Sequence, residues 1–183
     1  MSKFVEMWKI PKTTQALYTV CKLILCSIAL ISSTSLAQTT LSKESKVKAA
    51  YLFNFTKYIE WPQHTFDNGA DILICVDEDK SFADFMRALV KNRKVGKDKR
   101  SVQILDLHSA NRCHLTFIKT PIPGGLETLS SSVVVADAKT TLDNVTIQLF
   151  QQNGKLRFEI RMSEIERLQV AVSSELLKLA RIR

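Results

Sequence analysis

Val47-Lys48-Ala49-Ala50-Tyr51-Leu52-Phe53-Asn54-Phe55-Thr56-Lys57-Tyr58-Ile59-Glu60-Trp61-Pro62 is the stretch on which the fold turns. At 100° per residue, Val47, Tyr51, Leu52, Phe55, Tyr58 and Ile59 share one side of a helix, and Lys46, Thr56, Lys57 and Glu60 share the other. Pro62 biases Trp61 away from helical angles, so the helix is expected to stop at Glu60 or Trp61. So much aromatic surface implies a helix docked on a sheet. Phe53 breaks the pattern, because it points with Lys46, Lys57 and Glu60. A large apolar side chain on a charged face is either covered by its own chain or offered to another protein. Phe53, Lys57 and Glu60 are therefore candidate interface residues.

Upstream of this helix the chain reads as an export signal. Lys3, Lys9, Lys12 and Lys22 precede the apolar run Leu23–Ile31, and a short polar stretch then ends in Ser35-Leu36-Ala37. A basic region, an apolar region and small residues before a cut are the parts of a secretory leader. An apolar run that short does not span a bilayer, which takes about 20 residues. Cleavage after Ala37 is expected, with residues 38–45 a linker and residues 46–183 one domain in the periplasm. Residues 1–37 hold four lysines and one acid, so the remaining 146 residues carry +5 where the whole chain carries +8. No clustered Lys/Arg run with interleaved aromatics is present, and nucleic acid is not an expected partner. Lys91–Arg100, the densest basic stretch, reads as a helix end and solvated loop before a strand.

Cys21 and Cys26 leave with the leader, so Cys75 and Cys113 remain. An even count in an oxidising compartment reads as one disulfide. A redox-active pair is the alternative, but the two lack C-x-x-C spacing.

The rest of the chain alternates strands and helices. Strands are expected at 71–76, 101–107, 113–118 and 131–136, with a helix from Phe82 to about Lys91 and a short one near 125–129. Asp77, Glu78 and Asp79 suit the N-terminus of the first of these helices. Residues 146–152 and 155–161 alternate around Asn153-Gly154, the strongest short-range hairpin signal. Leu156, Phe158 and Ile160 share one face of that hairpin; Arg157, Glu159 and Arg161 share the other, and Glu159 and Arg161 are further interface candidates. Ser163-Glu164-Ile165-Glu166 matches a capping box, and Ser173-Ser174-Glu175 opens a last helix with Leu176, Leu177, Leu179 and Ala180 as its apolar face. The pattern describes a single-domain α/β protein, a three-layer arrangement of a sheet with flanking helices, partly parallel and closed by a C-terminal antiparallel hairpin.

Catalytic chemistry is hard to find. His64, His108 and His114 lack metal-ligand spacing, and no G-x-S-x-G, H-E-x-x-H, Walker or G-x-G-x-x-G motif occurs. Five glycines in the whole chain leave little for a phosphate cradle. Neither catalysis nor a cofactor is expected.

Four ordered segments resemble the YfiR family of small secreted bacterial proteins: Val47–Pro62 (with Tyr51, Asn54, Phe55, Trp61 and Pro62), Ile74-Cys75-Val76, Cys113–Ile118, and Leu156–Ile160 (with Phe158) followed by Ser173, Ser174, Leu176, Leu177, Leu179 and Ala180. Together they cover about residues 46–182. The resemblance implies a dimeric, non-catalytic periplasmic repressor that binds the periplasmic region of an inner-membrane diguanylate cyclase. It also implies an outer-membrane lipoprotein that can sequester the repressor. A small-ligand sensor of the same fold is the alternative reading. Some members carry a second disulfide near the closing hairpin; this chain has no cysteine after Cys113.

Overall fold

The computed structural model describes residues 41–66, 70–77, 80–108, 110, 112–120, 129–138, 140 and 145–183. The leader expected over residues 1–37, the helix expected near 125–129, and Glu78 and Asp79 lie outside the described residues, apart from Leu129 at the end of that helix. Among the described residues no helix is long and apolar enough to cross a membrane.

Helix α1 spans Lys43–Tyr58 and begins three residues before the expected position, inside the stretch read as linker. Ser42 is its N-cap, and its hydroxyl accepts from the Ser45 N–H. The helix ends before Pro62 as expected, but two residues early, because Ile59–Glu60 forms strand β1. β1 pairs antiparallel with β9, Ala171–Val172, in a small second sheet. There follow β2 (Ile72–Val76), α2 (Lys80–Val90), β3 (Lys94–Val95), β4 (Arg100–Asp106), β5 (Leu115–Ile118), β6 (Val133–Ala136), β7 (Ile147–Gln152) and β8 (Lys155–Ile160). Helices α3 (Met162–Arg167) and α4 (Ser174–Leu177) flank β9, and β10 (Arg181–Ile182) closes the chain.

The main sheet has eight strands in the order β10-β8-β7-β6-β5-β2-β4-β3. Its centre, β4-β2-β5-β6-β7, is parallel throughout. β6 is the unbroken apolar run Val133-Val134-Val135-Ala136 and is buried along its whole length, as a central parallel strand must be. The hairpin β7–β8 turns at Asn153 and Gly154, whose φ angles of 51° and 70° are the left-handed pair that an Asn-Gly turn accommodates. This hairpin is not the edge of the sheet. β10 pairs in parallel outside β8, and at the far side β3 pairs antiparallel with β4. β3 lies within the basic stretch read as a loop.

One core fills one face of the sheet. Ile74, Leu115, Val133, Ile147 and Phe158 supply its floor, and all four α-helices of the described residues contribute to it, through Leu52, Met86, Ile165 and Leu176 among others. A smaller cluster of Ile118, Val134, Ala136 and Val145 covers the opposite face. The fold is a mixed α/β domain.

Helix α1 is buried on a different arc from the expected one. Ala49, Leu52, Phe53, Phe55 and Thr56 face inward, whereas Val47 and Tyr58 are 39 % and 38 % exposed. The buried arc is turned by roughly a quarter of a revolution. Two polar residues explain the shift. Thr56 is wholly buried because its hydroxyl donates to the Phe53 carbonyl at 2.7 Å, within its own helix. Lys48 is buried because it meets two carboxylates.

Two caps depart from expectation. Helix α3 starts at Met162 with Arg161 as N-cap and no side-chain capping bond, so the capping box at Ser163–Glu166 does not form. Ser173 does cap α4, its hydroxyl accepting from the Leu176 N–H, but α4 stops at Leu177 and Leu179 lies exposed beyond it.

Candidate interaction surface

The residues singled out by sequence fall into three local assemblies. In the first, Tyr51 and Phe55 of α1 meet Phe158 of β8, with ring centroids 5.5 Å and 5.2 Å from Phe158 and edge-on geometry. The Tyr51 hydroxyl donates to the Leu156 carbonyl at 3.0 Å. These three rings dock the opening helix on the closing hairpin, and Asn54 lies half-buried beside them on α1.

The second assembly surrounds the disulfide. Cys75 of β2 and Cys113, just before β5, are bonded, with Cα atoms 5.8 Å apart. Next to it the buried His114 accepts the Leu73 N–H on Nδ1 at 3.0 Å. Its proton therefore sits on Nε2, which donates to the Thr65 carbonyl at 3.2 Å. Trp61 Nε1 donates to the His114 carbonyl at 3.1 Å. Pro62 opens the following 3₁₀ turn, Gln63–Thr65, and its carbonyl accepts from Thr65. The Trp61-Pro62 pair and the Cys113-His114 pair, far apart in sequence, are two sides of one structural joint. It leaves a cavity of only about 110 Å³ beside Phe66 and Arg100.

The third joins both ends of the domain. The Ser173 N–H donates to the Tyr58 carbonyl at 2.9 Å, alongside the β1–β9 pairing, and Ser174 is the first residue of α4.

The interface candidates are not brought together. Phe53 is 3 % exposed and belongs to the core, so it is not an accessible anchor; its own chain covers it. Lys57 Nζ and the Arg93 guanidinium sit 4.5 Å and 5.3 Å from its ring centroid. Glu60 points away to Lys97, with Nζ and Oε1 3.1 Å apart at an exposed site. Glu159 is held by Arg183 at 3.3 Å and Arg181 at 3.8 Å, because β10 runs beside it. Arg161 is half-buried and its backbone N–H donates to the Thr146 carbonyl. Asp77 is bound by Thr120 Oγ1 at 3.0 Å and lies 3.7 Å from His108 Nε2. No group of three metal-ligating side chains exists among the described residues.

Sequence reasoning missed a buried ion cluster. Lys48 Nζ lies 2.6 Å from Glu44 and 2.7 Å from Asp137 at the carboxyl end of β6. Burial pushes the Lys48 pKa down, but hydrogen bonds and charge from Asp137 and Glu44 outweigh it and hold the ammonium above its ordinary value. Glu44 and Lys48 at i, i+4 were a legible helical pair; Asp137, in another part of the chain, was not.

Beside its buried arc α1 carries a stripe of exposed Val47 and Tyr58 and half-buried Tyr51 and Asn54, with spacings of four, three and four. Between its first half and the hairpin tip lies an open groove of about 580 Å³, lined by Val47, Tyr51 and Leu156 and bordered by Lys43, Lys155 and Arg157.

Residues 45–181, from the first turn of α1 into β10, match the family model described as YfiR/HmsC-like. The chain belongs to the YfiR/HmsC-like family. No curated protein matches it. The YfiR/HmsC-like match covers all three assemblies, so the Tyr51–Phe55–Phe158 cluster, the Cys75–Cys113 joint and the Tyr58–Ser173 contact all lie inside the family domain. The family is regulatory rather than catalytic.

Proposed function

We propose that this protein is a non-enzymatic regulator, exported to the periplasm through a cleaved leader over residues 1–37, that binds the periplasmic region of an inner-membrane diguanylate cyclase and lowers cyclic-di-GMP synthesis. The observation that carries this reading is the YfiR/HmsC-like match over residues 45–181. Support comes from the polar residues of the joint around His114, which are spent on one another and on the backbone. The cavity beside them, about 110 Å³, is smaller than the roughly 300–1,000 Å³ usual for small-molecule sites. That argues against a small-ligand site at this joint. An outer-membrane lipoprotein that sequesters the regulator, and a homodimeric state, complete the reading.

The test is genetic and quantitative. Deleting the gene should raise cellular cyclic-di-GMP and surface attachment. A copy carrying residues 1–37 should restore both, whereas a copy lacking them should not. Unchanged cyclic-di-GMP after deletion would refute the reading.

A further inference from the structure

The groove between α1 and the hairpin tip carries a charge pattern that selects its occupant. Its floor is apolar: Val47 is 39 % exposed, and the Tyr51 ring is fixed by its bond to the Leu156 carbonyl. Lys43, Lys155 and Arg157 on its border are exposed and have no ion-pair partner among the described residues. Glu44, the one acid on the border, shares the Lys48 ammonium, 2.6 Å away, with Asp137. The groove is therefore a preformed apolar trough whose border carries three cations against one acid, with Lys155 and Arg157 making the hairpin wall positive.

The walls are rigid. One is a helix pinned by the buried Lys48–Asp137 pair, and the other is a tight two-residue hairpin. The partly exposed α1 positions Val47, Tyr51, Asn54 and Tyr58, three of them apolar or aromatic and Asn54 polar, recur at i, i+4, i+7 and i+11, the period of a seam that receives a second helix. A second copy of this chain is a poor occupant. Antiparallel pairing of two α1 stripes sets the flank bearing Lys46 and Lys57 against the same flank of the other copy, and like charges oppose it.

We propose that this groove seats an acidic amphipathic helix of the signalling partner, with its apolar side on Val47, Tyr51 and Leu156 and its carboxylates against Lys43, Lys155 and Arg157. The inference rests on the function proposed above and adds to it where the partner docks and what chemistry it presents.

The test uses the mature protein and, as probe, the purified periplasmic region of the inner-membrane diguanylate cyclase encoded in the same genome. Two variants are compared with wild type: Val47→Asp, and the triple reversal Lys43→Glu, Lys155→Glu, Arg157→Glu. All four positions are exposed, so circular dichroism and melting should match wild type. Wild-type affinity should fall as salt rises, and each variant should bind about tenfold or more weakly. Exchanging acidic residues of the probe's docking helix for lysine should restore binding to the triple variant. If wild type binds and both variants bind within about twofold of it, the groove is not the docking site, while the regulatory function stands. If wild type does not bind the probe, the function proposed above fails and the inference with it. Loss of self-association in the triple variant, with probe binding intact, would assign the groove to a second copy instead.

Discussion

The imidazole of His114 lies nearly parallel to the ring of Phe66, with centroids 4.6 Å apart, and both imidazole nitrogens are bonded to backbone. The Arg100 guanidinium stands 3.8 Å from the centroid of the same Phe66 ring and donates to the Ala70 carbonyl. His114 thus ties the segment after Trp61 to the centre of the sheet, beside the disulfide. Replacing it with Leu keeps volume but strands the Leu73 N–H and the Thr65 carbonyl, at about 1–3 kcal/mol for each. Urea unfolding of His114→Leu should show a lowered midpoint with an unchanged slope. A midpoint equal to wild type would show that water replaces both bonds at no cost.

The Cys75–Cys113 bridge spans 38 residues. In the chain-entropy picture a loop of that length stabilises by about 4 kcal/mol. The double variant Cys75→Ser, Cys113→Ser should lose roughly that amount, and dithiothreitol should then have no further effect on its melting. Equal stability of the oxidised and reduced wild type would contradict the prediction.

Phe53→Ala should cost about 3–5 kcal/mol, since it empties a site that is 3 % exposed. Glu159→Ala, which removes the half-buried carboxylate held by the exposed Arg181 and Arg183, should cost about 1 kcal/mol or less. Thermal melts of the pair check the ordering, and a larger loss for Glu159→Ala would overturn the assignment of core and surface.

Lys48→Met leaves the carboxylate of Asp137 buried without its cation and should cost about 3–5 kcal/mol. The pH dependence has a definite sign. The folded-state pKa of Lys48 is raised above 10.5, so its contribution is complete below that value and fades as pH rises through the folded pKa. Wild-type stability should therefore decline more steeply than that of Lys48→Met above about pH 10.5. Parallel curves in that range would contradict this.

The elements that announced themselves in sequence did so through local chemistry. Asn153-Gly154 specifies its own turn, and Val133–Ala136 has nowhere to lie but the middle of a parallel sheet. The orientation of α1 was hidden because its buried arc contains a lysine and a threonine. Lys48 is buried by Asp137, some ninety residues later, and Thr56 by a bond to its own helix. Counting both as surface residues rotates the helix, and so makes a core residue of Val47 and an interface residue of Phe53. Strands β1, β3, β9 and β10 are two residues long and carry no periodicity to read. The groove beside α1 was invisible for the same reason as the rotation: its apolar floor belongs to the stripe that the pattern assigned to the core.

Regulation of a diguanylate cyclase is the central claim, and its most direct measurement is the rate of cyclic-di-GMP synthesis by the detergent-solubilised full-length cyclase as mature protein is added. The account predicts a saturable fall in rate, with wild type inhibiting at least about tenfold more potently than the Lys43→Glu, Lys155→Glu, Arg157→Glu variant. A rate that stays constant up to concentrations well above those in the periplasm would contradict it.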